Sequence, residues 1–156
     1  MSKWGFIDTP FGFLGVEYHN KTILTTKWII VPPNTHIQDH HPTVLMLQQE
    51  IHKYLSDPKY KINCQLNIIG TDFQKNVWGY LRTIPCGTTL SYGQLASIMQ
   101  SSARAIGQAC KKNPFPLVIP CHRVVSKQNI GGFMGQTSGT AINIKLSLLK
   151  HEMALT

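Results

Sequence analysis

At Gly70 the hydrophobic residues of this chain change their period, and no other feature constrains the fold as much. Before it, Ile62, Cys64, Leu66 and Ile68 alternate with polar residues, the spacing of a half-buried strand. After it, Thr71-x-x-Gln74 forms a capping box, and Phe73, Val77, Leu81 and Ile84 recur along one helical face until Pro85 and Gly87 break the pattern. A chain of 156 residues can bury one sizeable core or two small ones. The switch therefore divides it into a strand-rich first part, 1–70, and a helical second part, 71–156.

In the first part, Phe11 to Tyr18 and Thr22 to Val31 read as strands joined at His19-Asn20-Lys21, a β-hairpin. Pro32-Pro33-Asn34 closes the hairpin and opens a polar loop carrying His36, Asp39, His40 and His41. That loop is either a metal site or, with no cysteine or carboxylate cluster to complete a ligand set, an ordinary solvated loop. From Pro42 to Leu55 the apolar residues Val44, Leu47, Ile51, Tyr54 and Leu55 have helical spacing, and Asp57-Pro58 ends the helix. This helix is expected to pack on the hairpin. No chemistry is visible in residues 1–70.

The second part carries two further helices before its most distinctive motif. A second capping box, Ser91-x-x-Gln94, opens a short helix with Leu95, Ile98 and Met99 expected inward. Ser101-Ser102 turns into another helix, Ala103 to Lys112, rich in Ala and Gly and bearing Arg104, Lys111 and Lys112, which Asn113-Pro114 stops. The pair reads as a helix-turn-helix, or else as the core packing of an Ala-rich helix. Charge sharpens the contrast between the two parts. Residues 1–70 hold six Lys/Arg and five Asp/Glu, a net +1, whereas residues 71–156 hold nine and two, a net +7. Such a field suits a nucleic-acid partner, and it also serves solubility. A last helix runs from Thr140 through Glu152, with Ile142, Leu146 and Leu149 on one face.

Between these helices lies Ile119-Pro120-Cys121-His122-Arg123-Val124-Val125, a cysteine beside a histidine and an arginine in an apolar run. A thiolate rather than a thiol attacks carbon, and a neighbouring base or positive charge favours the thiolate, so Cys121 is a candidate nucleophile. The alternative is a small buried hydrophobe, the commonest fate of a free cysteine. The glycine-rich run Gly131-Gly132-Phe133-Met134-Gly135 downstream suits a pocket wall that lets a flat ligand approach backbone. The four cysteines Cys64, Cys86, Cys110 and Cys121 show no C-x-x-C spacing, and no run of about 18 apolar residues offers a membrane span. With no signal-peptide pattern at its start, the chain is expected in a reduced cytoplasmic setting, or the nucleus of a eukaryote, away from membranes.

Taken in order, the motifs resemble those of the alkylguanine-DNA alkyltransferases, the methylated-DNA-protein-cysteine methyltransferases. The chain reads Phe73-Gln74-x-x-Val77-Trp78-x-x-Leu81-x-x-Ile84-Pro85-x-Gly87-x-Thr89-x-Ser91-Tyr92-x-x-Leu95-Ala96, then Ala103-Arg104-Ala105-Ile106-Gly107-x-Ala109, Asn113-Pro114, Ile119-Pro120-Cys121-His122-Arg123-Val124, and Leu148-Leu149-x-x-Glu152. These landmarks cover residues 73–152, whereas the first seventy residues share only size and the Thr9-Pro10-Phe11-Gly12 start. The resemblance implies an α+β fold. It consists of a small N-terminal β-sheet plus helix, ribonuclease H-like, serving as a structural domain (1–70). A mostly helical C-terminal domain (71–156) then carries the helix-turn-helix and the active-site cysteine.

The resemblance also implies roles. Cys121 would accept the alkyl group of O6-alkylguanine, and of O4-alkylthymine, in duplex DNA after base flipping. His122 would act as base for the thiol through a bound water, oriented by Glu152, in the manner of a nucleophile-base-orienter triad. Tyr92 would donate its hydroxyl to the departing guanine and help rotate the nucleotide, and Asn113 would hold the turn before the active-site loop. Arg104 would enter the duplex, with Ala105, Gln108, Lys111 and Arg123 alongside it on the DNA. Backbone groups of Cys121 and Val124 would read the guanine edge, with Phe133 and Met134 covering the pocket. No metal and no cofactor is implied, and the acceptor would be consumed in one turnover because a thioether is a poor leaving group. The protein would act as a monomer, with cooperative assembly on DNA left open.

The chain departs from the family at Gln100-Ser101-Ser102, where a longer turn is typical, and at Phe133 and Met134. Further departures are the inserted Gln136 to Gly139 and Met153, where a glycine usually follows the final glutamate. Three other readings compete. A damage-recognition relative of the same fold would lack the acceptor cysteine. A cysteine hydrolase would use Cys121 and His122 with an oxyanion hole, and a transcription factor would read sequence through Arg104 and Gln108.

Overall fold

The computed structural model describes residues 1–29, 40–127 and 129–153 and mixes α and β structure. Among them are a small antiparallel sheet and five α-helices, and the chain divides into two compact units, Met1–Ile68 and Ile69–Thr156. His36 and Asp39 of the expected polar loop lie outside the described residues. His41 is used structurally: its Nδ1 accepts the Thr43 N–H at 3.3 Å as helix cap, and its ring lies 4.3 Å from that of Tyr18. No group of three or more His, Cys, Asp or Glu gathers as a metal ligand set among the described residues.

The first unit is a three-stranded meander, β1 (Lys3–Thr9), β2 (Gly12–His19) and β3 (Thr22–Ile29), in the order β1-β2-β3 with all pairs antiparallel. The β2–β3 hairpin turns at Asn20-Lys21, and Asn20 takes a positive φ of 53°. Strand β1 was not anticipated, because its buried face is Gly5, Ile7 and Thr9 while the bulkier Trp4 is exposed. Helix α1 (Pro42–Ser56) packs on β1 and β2 through Val44, Leu47, Ile51 and Tyr54. The strand expected over Ile62 to Ile68 does not form. Burial alternates there, but only an isolated bridge forms at Ile23, which donates to the Gln65 carbonyl (3.2 Å) and accepts from Asn67 (3.0 Å), among the described residues. The Asn63 N–H goes instead to the Glu50 carboxylate at 2.8 Å, so no ladder propagates.

The second unit opens with α2 (Asp72–Leu81), whose capping box of Thr71 and Gln74 is intact. A Cβ on Gly70 would lie 2.6 Å from the Trp78 ring, so a residue with no side chain must precede the helix. Trp78 in turn donates its indole N–H to the Ala109 carbonyl (2.8 Å) and ties α2 to α4 (Ala103–Lys111). Between them come β4 (Leu90–Ser91) and α3 (Tyr92–Met99), capped by Ser91 and Gln94. Leu95 and Ala96 are the buried residues of α3, whereas Ile98 is 49% exposed and Met99 only half-buried. In so short a helix the inward stripe follows Leu95 and Ala96, and Ile98 falls off it. Gln100, left-handed at φ 53°, and Ser102, whose hydroxyl accepts the Ala105 N–H at 3.1 Å, make the turn into α4.

After α4 the segment Phe115 to Pro120 is buried throughout and ends in a 3₁₀ turn, Cys121–Arg123. The turn leads into β5 (Val124–Val125), which pairs parallel with β4 through Leu90 with Val124 and Ser91 with Val125. Helix α5 (Thr140–His151) closes the unit, burying Ala141, Ile142, Ile144, Leu148 and Leu149, with Leu146 only half-buried. No helix among the described residues is long and apolar enough to cross a membrane.

Candidate active site

Asn113 fixes the approach to Cys121. Its Oδ1 accepts the Phe115 N–H (2.9 Å) and its Nδ2 donates to the Ile119 carbonyl (2.8 Å), folding the buried loop back on itself. The 3₁₀ turn that follows places Cys121 at the wall of a cavity of about 310 Å³, while His122, next in the chain, is enclosed in the core and does not line that cavity. There His122 Nε2 meets Glu152 Oε2 at 2.8 Å, with both side chains almost wholly enclosed. A carboxylate only accepts, so Nε2 carries the proton and Nδ1 is the basic nitrogen. That Nδ1 has no hydrogen-bond partner among the described residues.

Burial pushes the Glu152 carboxyl up, but hydrogen bonds from His122 and Arg123 and their charges outweigh it and hold the group near about 2. Burial lowers the His122 pKa, with Glu152 opposing, so the imidazole rests neutral and able to take a proton. Burial also raises the Cys121 thiol, against a hydrogen bond from Asn113 and the positive charge of Lys145. The resting group is therefore a protected thiol, with a neutral base on the same turn.

Arg123 corrects an expectation. It was expected on a DNA surface, but Nε and Nη2 bond the two Glu152 oxygens at 2.8 and 3.0 Å and Nη1 donates to the Ile84 carbonyl at 2.7 Å. A guanidinium fork occupied in this way orients the carboxylate. Val124 departs as well: its side chain is fully buried, its N–H bonds the Cys121 carbonyl, and its own carbonyl accepts Lys145. It does not line the cavity.

Tyr92, from the first turn of α3, lines the cavity with its hydroxyl 3.4 Å from the Gly132 carbonyl. Burial, then the charges of Cys110 and Cys121, raise its pKa well above the ordinary phenol range, so it keeps its proton and can donate it. Gly131 permits this packing. Its φ is +73° and a Cβ there would lie 2.9 Å from the Tyr92 ring. Phe133, buried, and Met134 also line the cavity, and Gln108 and Lys111 reach it from α4. Arg104 and Ala105 sit at the start of α4, Arg104 exposed and Ala105 half-buried. Arg104 lines a second, shallower cavity with Tyr92, Ser126 and Lys127.

Lys145 was missed. Wholly buried, it donates to the Val124 and Gly132 carbonyls at 2.8 and 2.9 Å and stands 5.8 Å from the Tyr92 ring centre. It thus ties the segment after the cysteine to the pocket wall. Burial brings its pKa down to about 8. A signal was available: Lys145 shares helical spacing with Ala141, Ile142, Leu148 and Leu149, an apolar face where a lysine is out of place. Cys110, which lines the same cavity, was also passed over.

The chain is similar in sequence and fold to known proteins. A family model described as "6-O-methylguanine DNA methyltransferase, DNA binding domain" matches residues 72–154. A methylated-DNA–protein-cysteine methyltransferase of Mycobacterium tuberculosis strain H37Rv is 32% identical over 157 residues, an alignment covering 97% of this chain and 93% of that protein. The bifunctional transcriptional activator/DNA repair enzyme Ada of Escherichia coli is 39% identical over 119 residues, but the chain spans only 32% of its length. Among solved structures, the crystal structure of Mycobacterium tuberculosis O6-methylguanine methyltransferase superposes with a TM-score of 0.81 at 30% identity, covering 98% of this chain and 93% of that one. A structure described as Mycobacterium tuberculosis OGT in complex with DNA gives 0.79 at 31% identity, covering 96% and 92%.

Proposed function

The chain belongs to the 6-O-methylguanine DNA methyltransferase family, and on that premise we propose that it repairs duplex DNA by moving the alkyl group of O6-alkylguanine, and of O4-alkylthymine, onto Cys121. The observation that carries this reading is the arrangement around one buried thiol. Cys121 faces a cavity, a neutral His122 held by Glu152 adjoins it, and a protonated Tyr92 shares the cavity wall.

The chemistry follows from those groups. His122 Nδ1 takes the thiol proton through a water, and the sulfur attacks the sp3 carbon on O6. As the S–C bond forms, the C–O6 bond breaks and its electron pair passes to guanine, which the Tyr92 hydroxyl stabilises as a hydrogen-bond donor while the proton taken by His122 returns to the departing base through solvent. No residue in the cavity makes a thioether into a leaving group, so each chain acts once and needs no cofactor. Because Cys121 is buried, the target base must leave the stack, at a cost of a few kcal/mol. In this reading α3 and α4 act as a helix-turn-helix on the DNA, with Arg104 as the wedge that fills the vacated stack. The unit Ile69–Thr156 is the DNA-binding alkyltransferase domain, and Met1–Ile68 a ribonuclease H-like structural domain. The protein works as a monomer, in the cytoplasm or in the nucleus of a eukaryote.

A hydrolase would need free amides near the sulfur as an oxyanion hole. The N–H groups of Cys121, Arg123 and Val124 already bond the carbonyls of Ile119, Pro120 and Cys121. The reading is tested with a duplex whose single O6-methylguanine is labelled in its methyl group. Wild type is expected to take up the label, and Cys121→Ala to bind the duplex without taking it up; label on the Cys121→Ala protein would remove Cys121 as acceptor.

A further inference from the structure

Two thiols share the acceptor cavity. Of the four cysteines only Cys110 and Cys121 line it; Cys64 belongs to the first unit, and the Cys86 thiol donates to the Glu152 carbonyl at 3.8 Å. Asn113 touches both members of the pair. Its N–H bonds the Cys110 carbonyl at 3.2 Å, and its side chain is hydrogen-bonded to the Cys121 sulfur. The two sulfurs also stand in one electrostatic neighbourhood, since the Lys145 ammonium favours the thiolate of each and a charge on Cys121 disfavours one on Cys110. Burial outweighs the lysine and pushes the Cys110 thiol up to about 12, so both groups rest protonated.

We propose that Cys110 is a resolving thiol for Cys121, so that a hydroperoxide entering the cavity converts the pair into a disulfide that locks the acceptor reversibly. Hydrogen peroxide is little larger than water, and a cavity of about 310 Å³ admits it. The Cys121 sulfur attacks one peroxide oxygen and the O–O bond breaks. The thiol proton leaves with the other oxygen, giving a sulfenic acid and water. The Cys110 sulfur then displaces the sulfenic hydroxyl, which departs with the Cys110 proton as a second water as the S–S bond forms. One peroxide gains two electrons and each thiol gives up one. Closure sets the two Cα atoms about 4.4–6.8 Å apart. Cys110 lies in the last turn of α4 and Cys121 opens the 3₁₀ turn, both at element ends, where helices fray first. A sulfur that acts once is wasted if it is oxidised to the irreversible sulfinic acid, whereas a disulfide is undone by thiols. The consequence for repair rests on Cys121 being the acceptor; the bond itself does not.

The test exposes the reduced full chain to hydrogen peroxide, then reads intact mass, peptide map and methyl uptake from a duplex bearing O6-methylguanine, each protein scored against its own untreated sample. Wild type is expected to lose two hydrogens, to yield one peptide pair joined through Cys110 and Cys121, and to lose methyl transfer until dithiothreitol restores it. Cys110→Ala should instead gain two oxygens on Cys121 and recover nothing with dithiothreitol, because a sulfinic acid lies beyond thiol reduction. Should alanine disturb the fold, Cys110→Ser keeps the size without the sulfur and should behave in the same way. Absence of a joined peptide, a Cys121 joined to Cys64, to Cys86 or to a second copy, or Cys110 variants that recover as fully as wild type would overturn the inference. Methyl uptake on Cys121 with no joined peptide overturns the disulfide and leaves the acceptor assignment standing. A Cys110–Cys121 peptide from a chain whose reduced form takes up no methyl upholds the disulfide and overturns the acceptor assignment.

Discussion

Lys145 shows what a single buried residue contributes. Its ammonium holds two carbonyls that frame the cavity and exerts a field that favours the Cys121 thiolate. Lys145→Met keeps the bulk and removes the charge, so the pH profile of thiol alkylation by a small haloacetamide should move to higher pH; an unchanged profile would reduce Lys145 to a structural tie. Glu152 makes the opposite kind of claim, about stability. Its carboxyl titrates near about 2 in the fold against 4.5 ordinarily, so as pH falls the unfolded chain takes up the proton first. The stabilisation is whole above pH 4.5 and is lost toward pH 2. Glu152→Gln should therefore be less stable than wild type at pH 7, and the gap should narrow at pH 3 in urea melts; a constant gap would contradict the pairing. Cys121, His122 and Glu152 were legible because their motif is local or ends a clear helix. Lys145 and Cys110 were not, because only packing brings a lysine and a second thiol to the cavity.

Helix ends illustrate how far local chemistry reaches at the level of elements. The capping boxes before α2 and α3 could be read directly from Thr71, Gln74, Ser91 and Gln94, since they join residues three apart. β1 could not, because glycine and threonine on its buried face leave no hydrophobic alternation, and Ile62 to Ile68 misled because one-sided burial does not guarantee a pairing partner. Past α5, Met153 sits left-handed at φ 59° and 80% exposed, in the place of a usual glycine. A side chain there costs about 1–2 kcal/mol and gains nothing by burial. Met153→Gly should raise the melting temperature by about 2–8 °C; a lower one would show that the turn is not strained. Exposed Arg104 lies in the first turn of α4. Arg104→Ala should slow repair of duplex far more than reaction with a free O6-substituted guanine base, and equal slowing of both would refute its role as a wedge.

For the whole molecule, net charge and usable charge differ. Residues 71–156 carry +7, yet Arg123 is locked onto Glu152 and Lys145 is enclosed. The exposed cations that line the two cavities are Arg104, Lys111 and Lys127, and Lys112 follows Lys111 in the chain. Four phosphates neutralised give a slope of about −3 to −4 for log affinity against log salt, testable by titration of the full chain against an unmodified duplex. A slope near −7 would mean that charges outside this face also contact DNA. Sequence composition shows the total and hides this difference, because burial is decided by the fold. The central claim is narrower, that one thiol in this chain takes one alkyl group from DNA. It is tested most directly by mixing the protein with excess duplex bearing a single O6-methylguanine, then recording intact mass with peptide mapping. The account predicts a single added methyl, located on Cys121 and saturating at one per chain. Binding without any gain in mass, a methyl on another residue, or continued turnover beyond one per chain would contradict it.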